Sequence, residues 1–359
     1  MKEKVIFFTG FPGFIGKRLL EKMVQSHPQA RFILLVEERF SNQAAQQLET
    51  MQISKAEIVL GDITKPHLGM EKAQWDLLSS QVTDVFHLAA IYDLAIPFKP
   101  AHKVNVEGTK NIIALCQHTQ SLMAFVYFST CYVAGKSTGT FYEDDLPPVP
   151  GFKNHYEATK YEAEQMVRQY LKQIPTIIIR PSIVVGDSLQ GETQKFDGPF
   201  FGMIMIDRLK KWGIPIPYLG ALRAKVNVVP VDFVVNATLA IWQNPKNLGK
   251  CYALADPNPI ETKELYVETI KQLGARGPLG KVPPHFMEWL LSFKTIRNFL
   301  GVPRQILSYF NHDVSFDTTN ATNALRESGI SCPPLLSYFP KLVEFYQQNK
   351  HRKEFYWQP

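Results

Sequence analysis

Residues 7–20 read FFTGFPGFIGKRLL, with three glycines packed between an apolar run and a helical pattern. Glycine gives up more conformational entropy on folding than any other residue, so three of them at the end of a first strand need a reason. Thr9-Gly10-Phe11-Pro12-Gly13-Phe14-Ile15-Gly16 follows the strand-like "KVIFFTG" and opens the helical "GKRLLEKMVQS". In that setting Gly10 permits the tight turn, Gly13 lets a pyrophosphate approach the backbone, and Gly16 lets the helix pack closely on the sheet. The helix N-terminus then offers unpaired N–H donors and a favourable dipole to the phosphates. Thr9 through Gly16 is therefore the expected dinucleotide-binding segment.

Outward from this turn, "RFILLVE", "AEIVLGD", "DVFHLAA", "AFVYFSTCYV" and "TIIIRPSIVV" are apolar on both faces and read as strands. Between them "NVEGTKNIIALCQHT" and "NHYEATKYEAEQMVRQYL" carry helical periodicity. This alternation predicts an α/β fold, a Rossmann-type doubly wound parallel sheet with helices on both faces. Ligands are then expected beyond the strands' carboxyl ends. After Gly186 the regularity fails in Gly- and Pro-rich stretches. We expect residues 1–186 to form the NAD(P)-binding domain and 187–359 mainly a smaller, interleaved C-terminal substrate-binding cap, with 226–260 returning to the Rossmann core.

The totals narrow the function classes. The chain of 359 residues is 45% hydrophobic and 20% charged, as in a soluble globular protein. Its net charge of +6 is dispersed, without the basic stripe of a nucleic-acid binder. Cys116, Cys131, Cys251 and Cys332 form no Cys-x-x-Cys pair, which suits reduced thiols better than disulfides or zinc. The histidines are scattered without ligand spacing, so no metal is expected. The first apolar run is too short for a signal peptide, and no stretch has transmembrane length, so the expected location is the cytoplasm.

Two constellations carry chemistry. The second strand ends "LLVEERF", where the adenosine ribose should lie. A carboxylate there accepts hydrogen bonds from a 2′-hydroxyl and repels a 2′-phosphate, whereas an arginine favours the phosphate. Glu37 is the first candidate and Glu38 the second; Arg39 nearby keeps NADP(H) open, although NAD(H) is favoured. Asp62 in "GDIT" could meet the adenine edge or cap its own strand. In "NHYEATK", Tyr156 and Lys160 are spaced i, i+4 and share a helix face. A lysine ammonium beside a tyrosine lowers its pKa from about 10, so the pair can relay a proton while a cofactor moves hydride. A hydroxyl from Thr130 or Ser129 would position the same substrate oxygen, and only one of them should face it.

Taken together, Gly-x-x-Gly-x-x-Gly after strand one, "HLAA" after strand four, "NVEGT", the Ser-Thr ending strand five and Tyr-x-x-x-Lys resemble the extended short-chain dehydrogenase/reductase superfamily. The resemblance makes Thr130 the catalytic hydroxyl, Tyr156 the acid/base, Lys160 also a holder of the nicotinamide ribose, and Asn105 a brace for the active-site helix. It extends the cofactor site to Ile63, Leu88, Ala89, Ala90, Pro181 and Ile183, and leaves His87 packing beside the cofactor. Downstream, "IIIRPSIVVGDSLQGETQKFDGPFF", "VNVVPVDFVVNA" and "VSFDTTNATNAL" look like the male-sterility or thioester-reductase branch. That branch includes fatty acyl-CoA reductases and the reductase domains ending carboxylic acid reductases and nonribosomal peptide synthetases. It commonly ends strand two in Leu-Val-Arg, where this chain has Leu35-Val36-Glu37.

The resemblance implies hydride delivery to an acyl thioester, either a CoA ester or one presented by an acyl carrier protein, giving an aldehyde or alcohol. Alternatives within the superfamily are a sugar-nucleotide epimerase or dehydratase and a hydroxysteroid-type dehydrogenase. A non-catalytic dinucleotide sensor is a more remote one. The apolar "GPFFGMIMIDRLKKWGIPIPYLG" and "PHFMEWLLSFKTIRNFLGV" read as cap core or as an acyl channel. Lys210, Lys211, Lys294 and Arg297 are candidates for its phosphate-facing rim or for solvated helix charges. The later helices also allow peripheral membrane contact.

Overall fold

The structure, a computed structural model, describes residues 4–356 apart from 94, 220–223, 284, 285, 287, 288, 291 and 301–312. In chain order, β1 (Val5–Thr9) leads to α1 (Phe14–Ser26) and β2 (Arg31–Val36) to α2 (Ser41–Thr50). β3 (Ala56–Leu60) leads to α3 (Lys72–Gln81), and β4 (Asp84–His87) to α4 (Phe98–His102) and α5 (Gly108–His118). β5 (Ala124–Phe128) is followed by the short β6 (Gly139–Phe141), α6 (His155–Gln169), β7 (Thr176–Pro181) and β8 (Ile183–Val185). The seven-stranded sheet is parallel throughout and ordered Lys250–Leu254, β7, β5, β4, β1, β2, β3.

The strands are apolar on both faces because both faces are covered. Along β1, Ile6 and Phe8 enter a core shared with α1 and α8 (Val231–Gln243), while Val5 and Phe7 enter the opposite core with α3, α5 and α6. The connections reverse direction between β1 and β4, and a crevice opens beyond their carboxyl ends.

The second half contributes to both parts of the molecule. Strand Lys250–Leu254 pairs with β7 at the sheet's edge, and Val228–Pro230 pairs with β8. A separate core joins α7 (Pro199–Lys211), α9 (Thr262–Gln272) and the helix Leu335–Asn349. It forms the cap that walls the far side of the crevice.

Two local expectations need correction. The fifth strand stops at Phe128 instead of running through Val133; the Thr130 hydroxyl accepts the Tyr132 N–H and starts a turn over Cys131–Ala134. Cys131 therefore sits in a turn, where its thiol is buried and donates to the Arg180 carbonyl oxygen at 3.0 Å. The helix expected at "NVEGT" begins earlier, at Phe98, and passes through a wide π-type turn over Lys103–Glu107 before α5.

Candidate active site

At the end of β1, Gly10 has φ +93°, and a Cβ there would lie 2.8 Å from the Leu88 and Ala89 backbone. A Cβ on Gly13 would lie 2.8 Å from the Gly10 carbonyl oxygen, and one on Gly16 would strike the same oxygen. Gly13 is thus required first by the turn's own packing, rather than only by the approach of a pyrophosphate. The turn lies at the N-terminus of α1, and Gly10, Pro12, Phe14 and Ile15 line the crevice with Leu88 to Ala90. Thr9 and Phe11 do not line it. The Thr9 hydroxyl is bonded to His87 Nδ1 at 2.8 Å and accepts the Ala89 N–H, while Phe11 is buried in the core.

Past β2, Glu37 and Arg39 form a two-contact ion pair of 2.8 and 3.1 Å, with the guanidinium over Phe40. Asp62 accepts the Thr64 N–H at 2.9 Å, and Ile63 is buried against Gly108; neither lines the crevice. Phe40, Gln43 and Gln47 do. Gln47 Oε1 and, at the other end, Ser182 Oγ are buried without a hydrogen-bond partner among the described residues. Buried polar atoms left open along a crevice headed by a glycine turn at a helix N-terminus fit a polar, phosphate-bearing ligand such as a dinucleotide. Among the described residues no grouping of His, Cys, Asp and Glu could hold a metal ion.

At that other end, Thr130, Tyr156, Lys160, Pro181 and Ile183 line the crevice. The Thr130 hydroxyl faces the Tyr156 phenol and favours its ionised form. Ser129 is committed elsewhere, donating to Glu164 Oε2 at 2.5 Å. Burial alone would raise the Glu164 carboxyl, but Arg180 at 2.6 Å and Arg168 hold it low. Asn105 ties the loop after β4 to α6, accepting the Ile91 N–H at 2.9 Å and donating to Thr159 Oγ1 at 3.0 Å.

The Tyr156–Lys160 relation differs from the sequence expectation. Burial, with Glu157 nearby, pushes the Tyr156 phenol above its ordinary range. Lys160 Nζ donates to the Phe128 carbonyl oxygen at 2.6 Å and to Tyr127 Oη at 3.0 Å, and burial lowers the amine to about 7. Desolvation thus sets the phenol, opposed by the Thr130 hydroxyl. His87, lowered to about 3 by burial, is neutral and bonded to Thr9 and Thr109.

Other groups at the site had no local sequence signal. Tyr92 meets Tyr156 edge-on, with centroids 5.1 Å apart, and Tyr132 lines the same wall. Asp197, raised to about 6 by burial, faces it from the stretch after β8. That stretch lines the crevice and is tied to α1 by the Arg18–Glu192 contacts at 3.1 and 3.4 Å. Of the expected phosphate-facing cations, three lie elsewhere. Lys210 donates to the Leu273 carbonyl oxygen, Arg297 to that of Ser292, and Lys211 is exposed outside the crevice. The side chain of Lys294 falls outside the described residues. Arg18, Lys195, Lys341 and Arg352 line the crevice instead, three of them paired with Glu192, Glu344 and Glu354. The cavity is about 1460 Å³, larger than one drug-sized ligand needs.

Residues 8–238 match the family model described as male sterility protein. Over 290 residues the chain is 27% identical to the fatty acyl-CoA reductase wat of Drosophila melanogaster, covering 68% of this chain and 55% of that protein. It is 27% identical over 295 residues to the nonribosomal peptide synthetase asaC of Aspergillus flavus, covering 76% of this chain and 28% of that one. The chain thus spans about half the length of the fatty acyl-CoA reductase and less of the synthetase. Among solved structures, the terminal R domain from the myxalamid PKS-NRPS pathway superposes with a TM-score of 0.80 at 23% identity, covering 99% of this chain and 93% of that one. The reductase domain of a Mycobacterium tuberculosis nonribosomal peptide synthetase gives 0.69 at 19% identity, with 97% and 92% covered. These likenesses establish the fold.

Proposed function

Since the chain belongs to the male sterility protein family, we propose that it is an NAD(P)H-dependent reductase of the extended short-chain type, acting on acyl thioesters. The observation that carries this reading is the convergence of Thr130, Tyr156 and Lys160 on a cavity that runs from the glycine turn into the cap. Bound there, a nicotinamide dinucleotide would be held by the turn and the Leu88–Ala90 wall, with Lys160, Pro181 and Ile183 at its nicotinamide end, and it would supply hydride. The hydroxyls of Thr130 and Tyr156 would hydrogen-bond the thioester carbonyl oxygen and stabilise the charge that develops on it. Tyr156, kept as a neutral phenol by burial, is suited to give that oxygen a proton. Collapse of the resulting hemithioacetal releases the thiol and an aldehyde, which a second reduction would turn into an alcohol.

Three finer points belong to the same proposal. NAD(H) is the favoured cofactor, because Glu37 occupies the Arg39 guanidinium that a 2′-phosphate would need. The thioester is a CoA ester or one carried by a separate carrier protein; the names of the relatives support both. No helix among the described residues is long and apolar enough to cross a membrane. The location we infer is the cytoplasm, and exposed Trp212, Phe286, Trp289 and Phe293 on the cap support peripheral contact with a membrane.

The test is oxidation of NADH and of NADPH by the purified chain with long-chain acyl-CoA, with released thiol assayed in parallel. Thiol equal to cofactor oxidised in the first reduction is expected. Dinucleotide binding with no turnover of CoA or carrier thioesters, but turnover of a sugar nucleotide, would overturn the assignment.

A further inference from the structure

Behind the reacting side chains, Lys160 ends a row of polar groups whose other members the proposed reduction does not use. Thr9, His87, Thr109, Tyr127 and Lys160 are each 2% exposed or less. Polar groups at that depth cost free energy unless they are paired. They are paired with one another, across β1, β4, α5, β5 and α6.

Counting protons assigns the directions. Thr109 has one hydroxyl proton, and the Asn105 carbonyl oxygen at 2.6 Å takes it. His87 Nε2, 3.1 Å from Thr109 Oγ1, must then be the donor in that contact. His87 Nδ1 is left bare and accepts the Thr9 hydroxyl at 2.8 Å. Tyr127 also faces Thr109, whose proton is already spent, so the phenol's own proton is the one that can lie between them. Its oxygen lone pairs remain for Lys160 Nζ at 3.0 Å. The Phe128 carbonyl oxygen at 2.6 Å takes a second N–H of the same amine. An ammonium has three donors, so one is left for the crevice that Lys160 lines.

We propose that Tyr127 is the positioning residue of Lys160: its phenol oxygen, held by Thr109 and through it by His87, keeps the lysine charged and aimed into the crevice. This rests on reading Lys160 as the ammonium of the active site. The groups facing the amine are few. Glu164, one turn along α6, favours its charged form, although that carboxylate is shared with Arg180 of β7 and Arg168. His87 on β4 is neutral, and Tyr156 on α6 is a neutral phenol. With its midpoint near 7, Lys160 is charged below neutrality and loses its proton as pH rises through that value. An acceptor bonded to the charged form favours that form, so removing it must lower the midpoint.

The experiment is an NMR titration of the full chain carrying isotope-labelled lysine, without cofactor, with the Lys160 resonance identified by its loss in Lys160→Met. Tyr127→Phe should move the Lys160 midpoint down by about one pH unit, the worth of a hydrogen bond to a charged group. Thr109→Val should move it the same way by less, and Thr109→Ser, which keeps the hydroxyl, should leave it in place. The Thr109 pair decides the matter if Tyr127→Phe does not fold. An unmoved midpoint in folded Tyr127→Phe overturns the proposal, as do equal shifts in Thr109→Val and Thr109→Ser, which would report packing alone. The underlying reading fails separately: Lys160→Met with normal thioester turnover and dinucleotide affinity would refute the reductase site and leave the titration result standing.

Discussion

In the proposed reduction Tyr156 gives up a proton, and its surroundings keep that proton on it until a substrate oxygen arrives. Burial holds the phenol neutral, and Thr130 orients it. Tyr156→Phe should lower thioester turnover by about 10²–10⁴-fold while dinucleotide affinity stays near normal, read by cofactor oxidation and by nucleotide fluorescence titration. A near-normal rate would remove Tyr156 from the mechanism. At the adenosine end, Glu37→Gln should release Arg39 and raise the preference for NADPH over NADH by roughly tenfold in kcat/KM; an unchanged ratio would place cofactor choice elsewhere. Spacing alone made Tyr156, Lys160 and the glycines legible in the sequence, because the i, i+4 relation and the strand–turn–helix context are local. Tyr127 was not legible. Within "AFVYF" it reads as one more core aromatic, and only the three-dimensional approach of α5 and α6 shows what its hydroxyl meets.

The elements around the site are joined by buried charge as well as by apolar packing. Glu164 of α6 receives Arg180 of β7, Arg168 of its own helix and the Ser129 hydroxyl. Arg180 also donates to the backbone carbonyl oxygens of Tyr142 at 3.1 Å and Asp145 at 2.7 Å, which pins the segment after β6 against the sheet. Arg180→Met would strand a buried carboxylate and should cost about 3–5 kcal/mol in denaturant unfolding. Combining it with Glu164→Leu should cost less than the two single changes added together. A strictly additive double variant would show that the pair is not coupled. Strand and helix alternation made these elements readable, since each apolar run is buried on both faces. Their ends were less so: β5 stops early because Thr130 caps a turn, and the π-type turn at Lys103–Glu107 has no periodic signature. Ser129 and Glu164 meet across 35 residues, a separation that no local pattern announces.

For the whole molecule, the proposed function has the sheet position a cofactor and the cap decide what meets it, and the cap is where the sequence was least legible. Its core is made by α7, α9 and Leu335–Asn349, segments far apart in the chain, so their apolar faces could be recognised but not paired. One consequence concerns the face turned away from the crevice. α7 lines the cavity with Phe201 and Met205 and runs out at Lys211 into Trp212. Trp212 meets Phe299 at 5.9 Å, while Phe286, Trp289 and Phe293 form a row with ring spacings of 5.5 and 5.1 Å. All five rings are exposed, Trp212 by 69%, and Lys211 beside it is exposed too. Aromatic rings next to basic residues suit the boundary of an anionic bilayer, and a net charge of +6 adds a general attraction. A long-chain acyl thioester or its aldehyde partitions into such a bilayer, so contact there would bring substrate to the helix that lines the cavity. The chain should therefore co-sediment with phosphatidylserine-rich vesicles more than with phosphatidylcholine vesicles, and less as salt rises. Trp212→Ser with Trp289→Ser should weaken that binding severalfold while leaving turnover of a soluble short-chain thioester unchanged. Equal binding to both vesicle types, or none to either, would assign the aromatic face to something other than an anionic membrane.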